Sequence, residues 1–480
     1  MITAERMAQV DRNAAALGVP QKQLMESSGN AVAREVRAVA DPGARVAIVA
    51  GRGNNGGDGF VAARFLEDYD VSVHLLGRPE SIATDIAREN WDALGEADYD
   101  REAVGDSRSF DLPDCDVVVD AMLGTGVTGA LREPEATAAQ AMNQSTATVV
   151  AVDVPSGVNA DTGEAEGVAV DADRVVTFHD NKPGLSDLDA EVTVADIGIP
   201  AAAERRLGPG DLRPVRQAHE AEDSRAYVVG GGPFTGAPAL AAQAALRAGA
   251  NLSFVAAPET VAGRIQGYAE DLIVQSYDGD RLTPDRVDDL VDTAESYDDV
   301  VVLGPGLGNA DETLAAAERF LESFSGRAVV DADALAVIPD LDTDATLVCT
   351  PNVKELGKMG GPEIERGEDL AAHADEIESF AADLGHVVVA KAKADVVSDG
   401  EETRVCHAGT PGMAVGGTGD LLAGTTAGLL ASHDPFESAC MATYANGRAA
   451  ELLDDERHDG LLASDMLDAL PRALWGDSDE

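Results

Sequence analysis

Lysine is nearly missing from this 480-residue chain, with 6 residues against 29 arginines. Lys and Arg together number 35 against 87 Asp and Glu, a formal net charge of −52. No basic surface can dominate such a chain, which argues against nucleic acid or anionic membrane as a general partner. Cysteine is equally sparse. Cys115, Cys349, Cys406 and Cys440 are scattered with no Cys-x-x-Cys pair, which argues against a disulfide framework or a structural zinc site. No apolar run approaches the roughly 18 residues of a membrane span. The opening MITAERMAQVDRNAAALGVP has no basic stretch leading into an apolar core, so no signal peptide and a cytoplasmic location are expected. Aromatics are only 4%, yet hydrophobic residues reach 45%, enough for packed cores and too many for a wholly disordered acidic chain. The length suggests roughly two to four domains, two being the simplest for an α/β chain.

The acidity runs through the whole chain, as in DYDREAVGDSRSFDLPDCD (98–116) and DGDRLTPDRVDDLVDTAESYDD (278–299). Charges this dense repel one another at ordinary ionic strength. At molar salt the Debye length falls to about 3 Å and the repulsion is screened. The composition is therefore expected of a halophilic protein in a salt-saturated cytoplasm, with an acidic protein of an ordinary cell as the alternative.

The apolar pattern divides the chain. Residues 1–40 have helical spacing at Met7, Val10, Ala14 and Leu17. RVAIVA (45–50) reads as a strand ending in the glycine-rich GRGNNGGDG (51–59), followed by a helical stretch and the strand VSVHLLG (71–77). DVVVDAMLGTG (116–126) and TVVAVDVPSG (148–157) continue the alternation. Buried strands alternating with helices predict a parallel sheet covered on both faces, with ligands beyond the carboxyl ends of the strands. The pattern lapses around 205–225, and a boundary is expected between 211 and 212. A second alternation follows with AYVVGGGPFTG (226–236), DVVVLGPGLG (299–308), AVVDADAL (328–335), ATLVCTPN (345–352) and HVVVAKAKAD (386–395). Last comes GTPGMAVGGTGDLLAGTTAGLLA (409–431), a loop running into a long helix of small residues. Such helices suit subunit packing, and a homo-oligomer is expected, although packing within a domain serves equally.

In the first half, Gly51, Gly53 and Gly56 satisfy G-x-G-x-x-G between a strand and a helix. Alone this suggests a dinucleotide fold. The loop also carries Asn54, Asn55 and Asp58, which pyrophosphate binding does not require. Asp120 and Asp153 each end a strand, and neighbouring strands would deliver both to one rim near Asn55. Oxygen ligands of this kind suit a hard cation, while each Asp alone serves equally as a cap. Lys182, one of the six lysines, sits in FHDNKPGL (178–185).

LMESSGNAVA (24–33), GRGNNGGDG (51–59), VVDAMLGTG (118–126), AVDVPSGVNADTG (151–163) and HDNKPGL (179–185) together resemble the epimerase domain of the NAD(P)H-hydrate repair enzymes over residues 1–211. The resemblance implies a Rossmann-like doubly wound sheet. It implies that Asn54, Asn55, Gly56, Gly57 and Asp58, with Gly124, Thr125, Gly126, Val127, Thr128, Gly129 and Ala130, surround the hydrated nicotinamide nucleotide. Asn55, Asp120 and Ser156 would help to hold K⁺. Asp153 would touch substrate and do acid/base work, with Lys182 as a further catalytic group.

In the second half the strongest signal is GTPGMAVGGTGD (409–420). Gly416, Gly417 and Gly419 free backbone N–H groups to converge on an anion at a helix start, and Asp420 closes the turn. The expected role of Asp420 is to take a proton from a substrate hydroxyl attacking a phosphate. With GGGPFTGAPALAAQAALRAGAN (230–251), GPGLG (304–308), DADAL (331–335), TPNVKEL (350–356) and KAKAD (391–395), the segment 212–480 resembles the nucleotide-dependent dehydratase domain of the same repair system. That implies a ribokinase-like α/β domain. Ala237, Gly306, Gly308, Asn352 and Asp420 would face substrate. Lys391, Ala392, Lys393, Ala394, Asp395, Gly416, Gly417, Thr418 and Gly419 would face nucleotide. Two departures stand out: Asn352 occupies a position that is commonly His, and Ala392 one that is commonly Gly. Asn cannot shuttle a proton near neutrality, and Ala restricts the backbone more than Gly.

The implied function is bifunctional. The first domain would interconvert the R and S hydrates NADHX and NADPHX, and the second would dehydrate the S form using ADP and Mg²⁺, giving AMP and phosphate, with ATP as the alternative. Three other classes stay open at this level: a vitamin or sugar kinase, an NADP oxidoreductase, and a binding module whose first domain no longer catalyses.

Overall fold

The computed structural model describes residues 1–126, 128–217, 224–365 and 367–476. The chain divides into two compact units, Met1–Ala203 and Glu204–Glu480. This falls a little ahead of the expected joint because Leu207, Leu212 and Val215 are buried in the second unit's core, and Leu207 N donates to Val405 O. Of the described residues, no helix is long and apolar enough to cross a membrane.

In the first unit, seven strands run β1 (Arg45–Ala50), β2 (Asp70–Leu76), β3 (Asp100–Val104), β4 (Val117–Ala121), β5 (Thr148–Val152), β6 (Arg174–Phe178) and β7 (Glu191–Ala195). All pair in parallel, in the order β3-β2-β1-β4-β5-β6-β7. The helices are α1 (Ala4–Ala16), α2 (Gln21–Val39), α3 (Asn54–Phe65), α4 (Asp85–Glu96) and α5 (Glu135–Gln144). Alternation along β1 explains the layers. Val46, Ile48 and Ala50 join the core under α1 to α4, while Ala47 and Val49 join the one under α5. Strands buried on both faces read as continuous apolar runs, as the sequence pattern predicts. The strand order reverses between β1 and β4, which opens a crevice at their carboxyl ends.

The glycine-rich segment after β1 differs from its reading as a loop. Helix α3 already starts at Asn54, so most of that segment is helical. Glycine is needed there for close approach. A Cβ at Gly56 would stand 2.1 Å from Gly51 O, and one at Gly59 would stand 2.8 Å from the Ala121 side chain.

The second unit holds β8 (Arg225–Val229), β9 (Leu252–Pro258), β10 (Ile273–Tyr277), β11 (Val300–Leu303), β12 (Arg327–Val330), β13 (Thr346–Cys349), β14 (Val387–Ala390), β15 (Asp395–Ser398) and β16 (Thr403–Cys406). Their order is β10-β9-β8-β11-β12-β13-β14-β15-β16, and β15, which pairs antiparallel with both β14 and β16, is the one strand of this sheet that runs against the rest. The segment KAKA (391–394) is the turn joining β14 to β15. Again the order reverses at one point, between β8 and β11. Helices 236–247, 418–430, 435–451 and 463–475 cover one face, and helices 287–296 and 311–323 the other. The small-residue helix 418–430 is consumed inside this unit. A Cβ at Gly424 would stand 2.0 Å from Ala241 O, and one at Gly428 2.6 Å from Ala245 O. The stripe therefore argues nothing for a second subunit.

Candidate active sites

A cavity of about 570 Å³ lies at the β1/β4 crevice of the first unit, lined among others by Asp11, Asn54, Asn55, Asp58, Gly124 and Asp153. That volume suits a small-molecule ligand. Asp153 follows β5 with φ at +66°, a left-handed conformation that few residues other than glycine adopt. Its N–H donates to Val176 O at 2.7 Å, and its Oδ1 accepts from Thr177 Oγ1 at 3.1 Å. Behind it lies Lys182, fully buried. Lys182 Nζ donates to Thr177 Oγ1 (3.0 Å), Phe178 O (2.9 Å) and Asp180 O (3.0 Å), and stands 3.3 Å from Asp153 Oδ1. Its three donors are thus engaged by protein oxygens. Lys182 therefore stands behind Asp153, with its ammonium held against the carboxylate that lines the cavity. Strain at a functional carboxylate is held by such over-determined surroundings.

Four carboxylates line this cavity, Asp11, Asp58, Glu135 and Asp153, and the three aspartates interact with one another. Burial, and then the charges of Asp153 and Asp11, push Asp58 well above the ordinary carboxylate range. Asp11 is raised to about 6 by burial and by Asp153, against the opposing pull of His179 and Lys182. A carboxyl raised by burial and by neighbouring carboxylates gives up its proton less readily than an ordinary one, which suits Asp11 and Asp58 to proton transfer. Asp11 was missed in the sequence reading. Its signal was there: Met7, Asp11 and Ala14 share one helical stripe, so a carboxylate sits among apolar neighbours.

Asp120 and Ser156 come together as expected. Ser156 N donates to Asp120 Oδ2 and Ser156 Oγ to Oδ1, each at 2.7 Å. Asp120 is wholly buried, and burial raises it to about 6 against those hydrogen bonds. Asn55 and Asp153 flank Gly124, whose Cβ would stand 3.3 Å from Asn55 Oδ1 and 3.5 Å from Asp153 Oδ2. Thr125 and Gly126 also line the cavity. Gly56 and Gly57 do not; they are buried in α3, where a Cβ at Gly57 would meet Met25 at 2.6 Å. Thr128 is exposed, Gly129 and Ala130 lie by the 166–167 loop, and Val127 falls outside the described residues.

In the second unit the loops after β8 and β11 interlock. Gly231 N donates to Pro305 O at 2.9 Å. Gly306 and Gly308 have φ of +75° and +78°, and a Cβ at Gly306 would stand 2.2 Å from Phe234 O. Ala237 lies in the first turn of helix 236–247 beside them. Gly417, with φ at +103°, turns the chain into helix 418–430, so Thr418, Gly419 and Asp420 form its first turn and Gly416 precedes it. Free N–H groups at such a helix head attract anions. Asp420 is raised to about 7 by burial and by Asp331, with Lys391 opposing. Lys391 Nζ stands 3.0 Å from where a Cβ at Gly419 would be.

The two departures have structural explanations. Asn352 caps helix 353–358: its Oδ1 accepts from Lys354 N (3.0 Å) and Glu355 N (3.1 Å), and its own N–H donates to Glu355 Oε2 (2.8 Å). Asn is among the best residues for that task. Ala392 keeps a negative φ, so glycine's freedom is not needed there; its N–H donates to Asp395 Oδ1 at 2.7 Å. Asp395 is raised to about 6, chiefly by burial. Lys393 is exposed and Ala394 buried.

Two doubly wound units, one with carboxylates ringing a cavity and one with a carboxylate at a glycine-led helix head, define an enzyme built for nucleotide chemistry. Residues 21–184 match the family model described as YjeF-related protein N-terminus, and residues 226–472 match that of NAD(P)H-hydrate dehydratase. The bifunctional NAD(P)H-hydrate repair enzyme Nnr of Methanothermobacter thermautotrophicus is 42% identical, over 98% of this chain and 94% of the relative. That of Hyperthermus butylicus is 39% identical, over 98% and 92%. An ADP/ATP-dependent NAD(P)H-hydrate dehydratase from Bacillus subtilis, co-crystallised with ATP and Mg²⁺, covers 55% of this chain and 95% of its own at 27% identity, with a TM-score of 0.46. The chain belongs to the family of bifunctional NAD(P)H-hydrate repair enzymes, and each of its two units is an α/β domain on a largely parallel sheet.

Proposed function

We propose that this chain repairs hydrated nicotinamide nucleotides in two steps. The first unit interconverts R and S forms of NADHX and NADPHX, and the second dehydrates the S form with ADP, releasing AMP and phosphate. The reading rests above all on Asp420, a carboxylate held near neutrality at an anion-attracting helix head beside an ammonium.

Hydroxide is a poor leaving group, so the ring hydroxyl is first phosphorylated. Asp420 takes its proton as the oxygen attacks the terminal phosphorus of ADP and the bond to AMP breaks. The N–H groups around Gly417 to Gly419, with Lys391, hold the charge of the transferring group. The ring nitrogen's lone pair then expels phosphate, and a proton leaves the neighbouring ring carbon. Mg²⁺ enters as the counter-ion of the nucleotide phosphates.

In the first unit, Asp153 moves the proton at the ring hydroxyl, so that water leaves one face and returns on the other. The Asn55, Asp120 and Ser156 set fits a monovalent cation on two observations. Among the described residues, the buried Asp120 carboxylate has only neutral hydrogen-bond donors and the buried Asn55 Nδ2 has no hydrogen-bond partner; half a turn of that amide puts an oxygen in its place. K⁺ there would supply a fixed charge beside the reacting hydroxyl, and a salt-saturated cytoplasm would keep it bound. Absorbance at 340 nm, followed on a mixture of R and S NADPHX in molar KCl with Mg²⁺, tests both halves. ADP-dependent recovery that proceeds past the S fraction, faster than spontaneous epimerisation, is expected. Folded protein giving no recovery with ADP or ATP refutes the dehydratase half.

A further inference from the structure

Asp331, at the carboxyl end of β12, is only 3% exposed. Its Oδ1 accepts from the Thr350 hydroxyl at 2.7 Å and from Lys391 Nζ at 2.6 Å. The point a Cβ would occupy at Gly419 lies 3.0 Å from Lys391 Nζ and 4.0 Å from Asp331 Oδ2. One residue before Asp420, the helix head is therefore flanked by an ammonium and by the carboxylate that anchors it. The charged groups facing Asp420 are Asp331 and Lys391; those facing Lys391 are Asp331, Glu355 and Asp420. Lys391 thus has three carboxylates to choose from, and the structure commits it to Asp331.

We propose that Asp331 is a positioning residue of the dehydratase site: it holds Lys391 against Gly419, where the ammonium meets the transferring phosphoryl group, and withholds it from Asp420, which stays free to take the substrate proton. The inference rests on Asp420 being the base. Thr350, fully buried, fixes the orientation of the anchoring carboxylate. Without that anchor, Lys391 falls back on Asp420 and Glu355. A base paired with an ammonium keeps its charged form more readily and is a weaker proton acceptor.

The test uses the full chain in molar KCl with Mg²⁺ and ADP, following kcat against pH. In the parent enzyme the rate rises as Asp420 ionises, with the acid limb near its raised value of about 7. Asp331→Asn removes a like charge and frees Lys391, and both changes move that limb downward, on the order of one pH unit. Thr350→Val moves it the same way by less. Lys391→Met removes the opposing cation and moves it upward. Asp420→Asn abolishes the reaction. A residue with a merely structural part would lower the rate and leave the limb in place, and if Asp331→Asn does not fold, Thr350→Val carries the test. Folded Asp331→Asn and Thr350→Val proteins with the parent's limb, or one moved upward, overturn the inference while an inactive Asp420→Asn keeps the assignment of the base. An active Asp420→Asn overturns both.

Discussion

Replacing Lys182 by Met tests how the first unit holds Asp153. The variant keeps the length and apolar stem of the side chain and removes its charge. Three donated hydrogen bonds vanish, to Thr177 Oγ1, Phe178 O and Asp180 O, along with the ion pair to Asp153. Removing one partner of a buried pair costs about 3–5 kcal/mol. Each carbonyl left without a donor would cost about 1–3 kcal/mol alone, but these penalties overlap with the first. We take about 4 kcal/mol, a large part of the roughly 5–15 kcal/mol that stabilises a domain. For a unit of this size the melting temperature then falls by roughly 8–16 °C. Peptide-resolved hydrogen exchange on the full chain in molar KCl reads the loss where it occurs. Peptides from 1–203 should lose protection by that amount and peptides from 204–476 should keep theirs, while epimerisation disappears and dehydration of pure S hydrate persists. Adding Asp153→Asn should restore part of the stability, because the uncompensated buried charge is then gone. Protection in 1–203 unchanged to within about 1 kcal/mol would refute the idea that this lysine holds the strained carboxylate in place.

Asn352→Ala should cost about 1 kcal/mol through the lost helix cap, with kcat/KM for dehydration falling less than about tenfold, measured by urea unfolding and the 340 nm assay; a larger fall would mean that Asn352 acts on substrate. Ala392→Gly should leave the ADP dissociation constant unchanged by calorimetry, because Ala392 already has a negative φ, and should slightly lower stability. Asp120, raised from 3.8 to about 6, binds a proton in the folded state between those values that the unfolded chain does not. Its contribution therefore strengthens folding as pH falls from about 6 to about 4, and its ionised form weakens folding above that window, by at most about 3 kcal/mol. In K⁺-free buffer, urea titrations of the Asp120→Asn variant should show a flatter pH dependence than the parent over that window, and added K⁺ should stabilise the parent more than the variant at pH 7; equal responses would count against the cation site.

Much of the fold was legible because it depends on short-range patterns. Apolar runs such as RVAIVA and DVVVD are strands because both faces are covered, and glycine clusters follow them where loops cross the crevice. Asp120, Asp153 and Asp420 were legible for the same reason: each sits at a strand end or helix head. Other features depend on contacts between distant segments. The burial of Lys182 is set by carbonyls that a bend of the chain turns inward. The position of Asp11 depends on how α1 lies against the unit's core. The start of α3 within a glycine-rich stretch reflects the nearness of Ala121, not local propensity, since glycine favours no helix. The sequence left open whether Asn352 marks an altered dehydratase or a position that needs no acid/base; its use as a cap by Lys354 N and Glu355 N depends on the local backbone.

The backbone contact between helices 418–430 and 236–247 has a consequence for tuning the second site. Side chains can change rotamer to absorb a substitution, but two main chains pressed together cannot. Asp420 stands four residues before Gly424, about 6 Å along the axis, so the carboxylate proposed as the base is mounted on a rail whose spacing is set by absent side chains. A single added methyl at Gly424 or Gly428 displaces the Asp420 carboxylate without touching it. Directed evolution of nucleotide choice or rate therefore has two kinds of handle here: the loops, which change what is bound, and this pair of glycines, which sets where Asp420 stands.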